Sequence, residues 1–227
     1  MMFRNRHDAG VLLADRLGKY FADATIVLAL PRGGVPVGFE IAMKIGCPLE
    51  PFFVRKVGLP SQPELAMGAV VDGREPIIVR NEEVLRLAGI SEETFKSACA
   101  AELAKIARLR LIHGMDGHVP ASIGGRTAIL VDDGVATGST IRAGVQAVKR
   151  LEPSRVVVAV PVAPAATAAL IRREVDELVC LHVPRHFEAT GCYYRDFRQV
   201  SDRTVRDLLR QSRNADAIRP RTSPGRN

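Results

Sequence analysis

Residues 129–140 read Ile-Leu-Val-Asp-Asp-Gly-Val-Ala-Thr-Gly-Ser-Thr. An apolar run stops in two carboxylates, Asp132 and Asp133. A loop of small residues and hydroxyls follows, and then amphipathic spacing begins. The run has the pattern of a buried strand, and the spacing beyond Thr140 is that of a helix. Two acids at a strand end, followed by a new helix N-terminus, suit a sugar phosphate. The acids can accept hydrogen bonds from vicinal ribose hydroxyls. The amides of Gly134, Val135, Ala136 and Gly138, the hydroxyls of Thr137, Ser139 and Thr140, and the helix N-terminus can hold a dianionic phosphate. An ordinary Asp-Gly turn needs neither two acids nor three hydroxyls in this order.

The segment resembles the signature of the type I phosphoribosyltransferases, in which apolar residues and two acids precede Gly-x-x-Thr-Gly-x-Thr. Two further stretches carry the resemblance. Pro31-Arg32-Gly33-Gly34 closes the apolar strand 25–30. Its glycines let backbone amides approach a ligand, and Arg32 adds a fixed charge that suits phosphate oxygens. It is similar to the family's diphosphate loop, which implies diphosphate binding by Arg32, Gly33 and Gly34 and a non-proline cis peptide, expected at Arg32-Gly33. Arg55 and Lys56 end the apolar stretch 50–57, and the resemblance implies that they too hold the diphosphate. The chain is most similar to bacterial members with Pro-Glu-Leu-Ala-Met-Gly, here residues 63–68.

Strands that are apolar throughout alternate with helices along the chain, the pattern of a parallel sheet covered on both faces. The expected fold is therefore α/β: a mostly parallel sheet flanked by helices, with a helical cap. Its boundaries are read as one domain over 1–210, with a core at about 23–80 and 126–183. A helical insertion spans about 81–115 and a C-terminal hood about 184–210. Residues 65–79 read as a hairpin around Asp72-Gly73. Asp8, Ser91 and Asp202 read as helix caps, and the last helix is expected to end near Leu209.

The formal charge is +7 over 227 residues, and three of those charges come from residues 211–227. This tail reads as disordered and leaves nucleic-acid binding open. The absence of Trp gives no support to a set of stacking platforms. Cys180, His182, His186 and Cys192 have zinc-ligating chemistry, but their spacing on a strand-like run favours core residues. No apolar run is long enough to span a membrane and no secretory pattern opens the chain, so a cytoplasmic location is expected. Neither GxGxxG nor a Walker lysine motif is present, which argues against dinucleotide or NTP binding in those modes.

The resemblance implies Mg²⁺-dependent transfer of the 5-phosphoribosyl group from 5-phosphoribosyl 1-diphosphate (PRPP) to a small nitrogenous acceptor, with release of diphosphate. Asp132 and Asp133 would touch Mg²⁺ through water, and with Arg55 and Lys56 they would form the catalytic set. Tyr194, Asp196 and Phe197 are the acceptor candidates, because aromatic rings can stack on a planar base. The family also implies a possible homodimer. A regulator of the same fold that senses PRPP or a nucleotide without turnover is the alternative.

Overall fold

The computed structural model describes residues 1–20, 24–63, 65–71, 76–116, 118 and 121–218. In chain order the elements begin with α1 (Arg6–Arg16), β1 (Thr25–Ala29), α2 (Gly34–Ile45), β2 (Leu49–Pro51), β3 (Val54–Gly58), β4 (Ala66–Val71) and β5 (Ile77–Arg80). Then come α3 (Glu82–Leu87), α4 (Glu92–Ile112), β6 (Thr127–Val131), α5 (Ser139–Lys149), β7 (Arg155–Val162), α6 (Ala165–Glu174), β8 (Glu177–His182) and α7 (Asp202–Ile218).

Five strands form one parallel sheet in the order β2-β1-β6-β7-β8. Successive side chains of a strand face opposite ways, and here both faces are apolar. Ile26, Leu28, Leu130, Val156 and Val158 meet Ile141 and Val145 of α5 and Ile171 of α6. Val27, Ala29, Ile129, Val131 and Val157 meet Leu13 of α1, Val35 and Ile41 of α2, and Val205 of α7. Each fully buried Leu, Ile or Val contributes about 1.5–3 kcal/mol, so the sheet is a rigid base for the loops at its carboxyl ends.

The expected helical cap begins earlier than its sequence suggests. The stretch read as one strand, 50–57, is two: β2 stays in the parallel sheet, and after Phe52-Phe53 the chain enters a second, antiparallel sheet, β3-β4-β5. The apolar run is continuous across this break, because Phe52 joins the main core and Phe53 the cap core. The cap therefore spans 54–112 and includes residues assigned to the core from sequence. One face of its sheet packs on Phe95, Cys99 and Ile106 of α4. The other, through Ala69, Val71 and Val79, joins the core that contains α5. The hairpin strands form with Val71 opposite Ile77, and residues 72–75 of its turn lie outside the described residues.

Ser91 caps α4 by accepting from the Thr94 amide at 3.1 Å. Two other caps differ from expectation. Asn5, not Asp8, caps α1, accepting from the Asp8 amide at 2.9 Å. Ser201 Oγ accepts from the Thr204 amide at 3.0 Å, and Asp202 is the first residue of α7. The helix α7 also runs on to Ile218, so 211–218 is helical rather than a disordered tail. A stripe of Val205, Leu209 and Ser212, all buried, fixes this polar stretch against the domain. Arg213 Nη1 lies 2.8 Å from Met115 Sδ. Arg219, Arg221 and Arg226 lie outside the described residues.

Candidate active site

Two loops meet where β1 and β6 end side by side. The Leu30 amide donates to Val131 O and the Gly34 amide to Leu30 O, both at 2.9 Å. This folds Pro31-Arg32-Gly33-Gly34 back over the end of β6. The close approach demands glycine. A Cβ on Gly33 would lie 2.1 Å from Asp133 Oδ2, and one on Gly34 would lie 2.6 Å from Val131 O. The loop does contain a non-proline cis peptide, but at Pro31-Arg32, one bond earlier than expected.

Asp132 and Asp133 are adjacent and half-buried. The Asp133 amide donates to Asp132 Oδ1 at 2.9 Å. Burial, and then the charge of Asp133, push the Asp132 carboxyl well above its ordinary pKa. Burial also raises Asp133, against the pull of Arg6. Burial makes a carboxylate prefer its neutral form, and a nearby cation reverses that preference.

Arg6 Nε lies 2.6 Å from Asp133 Oδ2, with both side chains largely buried. Its Nη1 donates to Arg198 O at 2.9 Å, and its guanidinium sits 3.9 Å from the centre of the Phe197 ring. The Tyr194 hydroxyl donates to Asp133 O at 2.6 Å. No sequence motif marks Arg6. Its one signal was its place in the first turn of α1, where a cation opposes the helix dipole.

The loop after Asp133 is held from below. Gly134 has φ +153°, and a Cβ there would be 2.3 Å from Thr190 Cγ2. The Val135 amide donates to Val162 O at 2.9 Å and the Val135 side chain is buried, so this member of the expected phosphate nest serves the core instead. Thr167 Oγ1 donates to Ala136 O at 2.8 Å. Gly138, at φ +80°, starts α5 with no side-chain cap. Thr137 Oγ1 accepts a long hydrogen bond, 3.5 Å, from the Ser139 amide; the other first-turn amides of α5 have no side-chain cap and suit a ligand or water. Thr137, Ser139 and Thr140 are exposed beside them.

The remaining predicted residues are divided. Arg55 lines a cavity of about 240 Å³ together with Pro31, Asp132, Thr140 and Leu109. It lies inside β3 rather than at a core strand end, and Glu102 of α4 holds its Nε at 3.0 Å. Lys56 follows it on the strand and points to the opposite face, so the pair does not act as one basic cluster. Arg32 turns toward α7, 3.8 Å from Asp202, whose Oδ1 also lies 2.9 Å from Nε2 of the buried His113.

Of the acceptor candidates, Tyr194 is buried against Phe3 and so cannot stack on a ligand. Burial, and then the charge of Asp133, push its hydroxyl pKa up. Asp196 is held at about 2 by hydrogen bonds from Arg198. Phe197 lies under Arg6. Tyr194 and Phe197 thus brace Asp133 and Arg6, whereas the Asp196 side chain pairs with the exposed Arg198. Cys180 Sγ donates to His182 O at 3.3 Å and His182 packs edge-on to Tyr193. No group of three or more His, Cys, Asp or Glu side chains able to hold a metal occurs among the described residues. Among the described residues no helix is long and apolar enough to cross a membrane.

A family model described as phosphoribosyl transferase domain matches residues 6–196. The chain is 41% identical over 206 residues to a Mycobacterium tuberculosis (strain H37Rv) protein named "Putative phosphoribosyl transferase Rv0571c", and equally to its counterpart in strain CDC 1551. The match covers 90% of this chain and 45% of those proteins, so the chain spans about half the length of the curated relatives it matches. Among solved structures, TT1426 from Thermus thermophilus is 39% identical, with a TM-score of 0.79 over 93% of this chain and 99% of the other.

Proposed function

The chain belongs to the phosphoribosyl transferase domain family, and on that premise we propose that it transfers the 5-phosphoribosyl group of PRPP to a small nitrogenous heterocycle and releases diphosphate. The observation that carries this reading is a juxtaposition. An uncapped helix N-terminus suited to a phosphate follows directly on two half-buried acids suited to vicinal hydroxyls.

In this reading the first-turn amides of α5 and the hydroxyls of Thr137, Ser139 and Thr140 hold the 5′-phosphate. Asp132 and Asp133 accept from the 2′ and 3′ hydroxyls. The loop 31–34 and Arg55 face the diphosphate, and Arg32 reaches it by turning from Asp202. The bond from C1 to the diphosphate oxygen breaks, and the electron pair leaves on the diphosphate. The acceptor nitrogen supplies the pair for the new C1–N bond and gives up its proton to the departing diphosphate or to water. Most of the rate gain comes from positioning and from stabilising the departing charge.

The donor atoms at Asp132 and Asp133 are carboxylate oxygens alone, which fits a hard divalent cation such as Mg²⁺ held largely by water and substrate. When bound, Mg²⁺ neutralises charge on the diphosphate. Calorimetric titration with PRPP and Mg²⁺ tests the reading. The double variant Asp132→Asn, Asp133→Asn should lose donor binding, and unchanged affinity would sink the assignment. Diphosphate release in the presence of a panel of purines and pyrimidines then identifies the acceptor class.

A further inference from the structure

A groove of roughly 400 Å³ leads away from the phosphate loop, between α5 and the cap sheet. That is the size range of sites for nucleoside-sized ligands. Its apolar lining is Ala69 of β4 and Val79 of β5 on the sheet side, with the Gly68 backbone, and Ala143 of α5 on the helix side. Side chains this small leave room for a ring to lie against the strand. Gly68 gives the groove only backbone, since a Cβ there would point to the α4 side of the sheet, 3.0 Å from Phe95 Cε2.

The rim has the opposite character. Gln146 carries a donor and an acceptor, and Asn81, whose Oδ1 accepts from the Val84 amide at 3.3 Å to cap α3, keeps its NH2 as a donor; together they can read the edge of a heterocycle. Arg80 and Arg142 also reach the rim, but carboxylates already compensate them. Arg80 Nε is 2.8 Å from Glu82 and its Nη1 2.9 Å from Glu92, while Arg142 Nε is 2.8 Å from Glu174. The groove itself therefore offers hydrogen bonds and a stacking surface rather than net positive charge. The anion-binding element lies at one end of it, where Ser139 opens α5 without a side-chain cap.

We propose that this groove takes the base of a nucleoside 5′-monophosphate whose phosphate sits on the first turn of α5, so that the nucleotide and the donor exclude one another. The phosphate seat rests on the reading given under Proposed function, whereas the base site does not. The groove lies between the cap and α5, so the nucleotide also bridges the two.

The test is calorimetric titration of the full chain with AMP, GMP, CMP, UMP, ribose 5-phosphate and PRPP, before and after Ala143→Leu fills the groove. At least one nucleotide should bind about tenfold or more tighter than ribose 5-phosphate, compete with PRPP, and lose that excess in the variant. PRPP affinity should stay within about twofold, which also shows that the variant is folded. The proposal is overturned if no nucleotide exceeds ribose 5-phosphate. It is overturned equally if the excess survives Ala143→Leu, which would put the base on the acceptor side, or if PRPP binds the unaltered chain and weakens in step with the nucleotide. Failure of PRPP to bind the unaltered chain, with the nucleotide lost in the variant while ribose 5-phosphate binding and the far-ultraviolet circular dichroism stay unchanged, upholds the groove and rejects the donor reading.

Discussion

Asp132 and Asp133 sit where two negative charges are costly, and Arg6 offsets only part of that cost. Because the folded-state pKa of Asp132 is raised, the folded protein binds its proton more tightly than the unfolded chain does. The stability this contributes is fully present below the ordinary carboxylate pKa of 3.8 and is lost as pH rises through the raised value. Asp132→Asn should therefore raise the neutral-pH melting temperature by a few degrees, about 1 kcal/mol, and the gain should shrink at acid pH. Differential scanning calorimetry against pH checks both points; a fall in melting temperature at neutral pH contradicts them. Arg6→Met acts the other way. It strands Asp133 beside Asp132 and should cost on the order of 3 kcal/mol, as for other broken buried pairs. The motif 129–140 made the acids legible because residue order alone specifies them. Arg6 was not legible, because its pairing with Asp133 crosses 127 positions and has no local pattern.

At the scale of elements, the loop 134–138 owes its shape to α6 and to the hood as much as to its own glycines. Thr167 at the start of α6 holds Ala136 O, and Thr190 fills the space beside Gly134. Thr167→Val removes one hydrogen bond, worth about 1 kcal/mol, without touching the proposed ligand. The expected result is a several-fold weaker PRPP affinity with little change in diphosphate release at saturating donor; an effect confined to the saturated rate would contradict it. Strand and helix periodicity made β1, α2, β6, α5, β7 and α6 readable. It failed at Phe52-Phe53, where two cores share one apolar run, and so Arg55 was placed at the wrong kind of strand position. It failed again along α7, whose composition is polar and whose helix is held by a narrow buried stripe.

At the scale of the molecule there are two apolar bodies: the parallel sheet with its helices, and the cap, whose sheet lies between α4 and α5. Phe95 anchors the cap core at 2% exposure. Phe95→Ala should cost about 3–5 kcal/mol. Hydrogen exchange should then accelerate in β3, β4, β5 and α4 well before β1, β6 and β7. Uniform acceleration across both bodies would show that cap and core unfold as one unit. The alternation of strands and helices foretold the parallel body. The cap's extent was hidden because its first strand carries the same apolar character as the core strand before it.

The contact between residues 3–6 and 193–198 has a consequence for the order in which the protein becomes functional. Phe3 pairs with Tyr194, Arg6 reaches Arg198 across 192 positions, and both segments brace Asp133. A growing chain can complete all five parallel strands once His182 has emerged, with Arg6 already at hand, yet Asp133 still lacks the Tyr194 hydroxyl, and Arg6 still lacks Phe197 and Arg198 O that hold it in place. Completion of the proposed site is thus a late event in biogenesis. A chain interrupted between β8 and Tyr194 also lacks α7, whose Val205 and Leu209 cover one face of the parallel sheet, so the same late segment closes the core and braces Asp133.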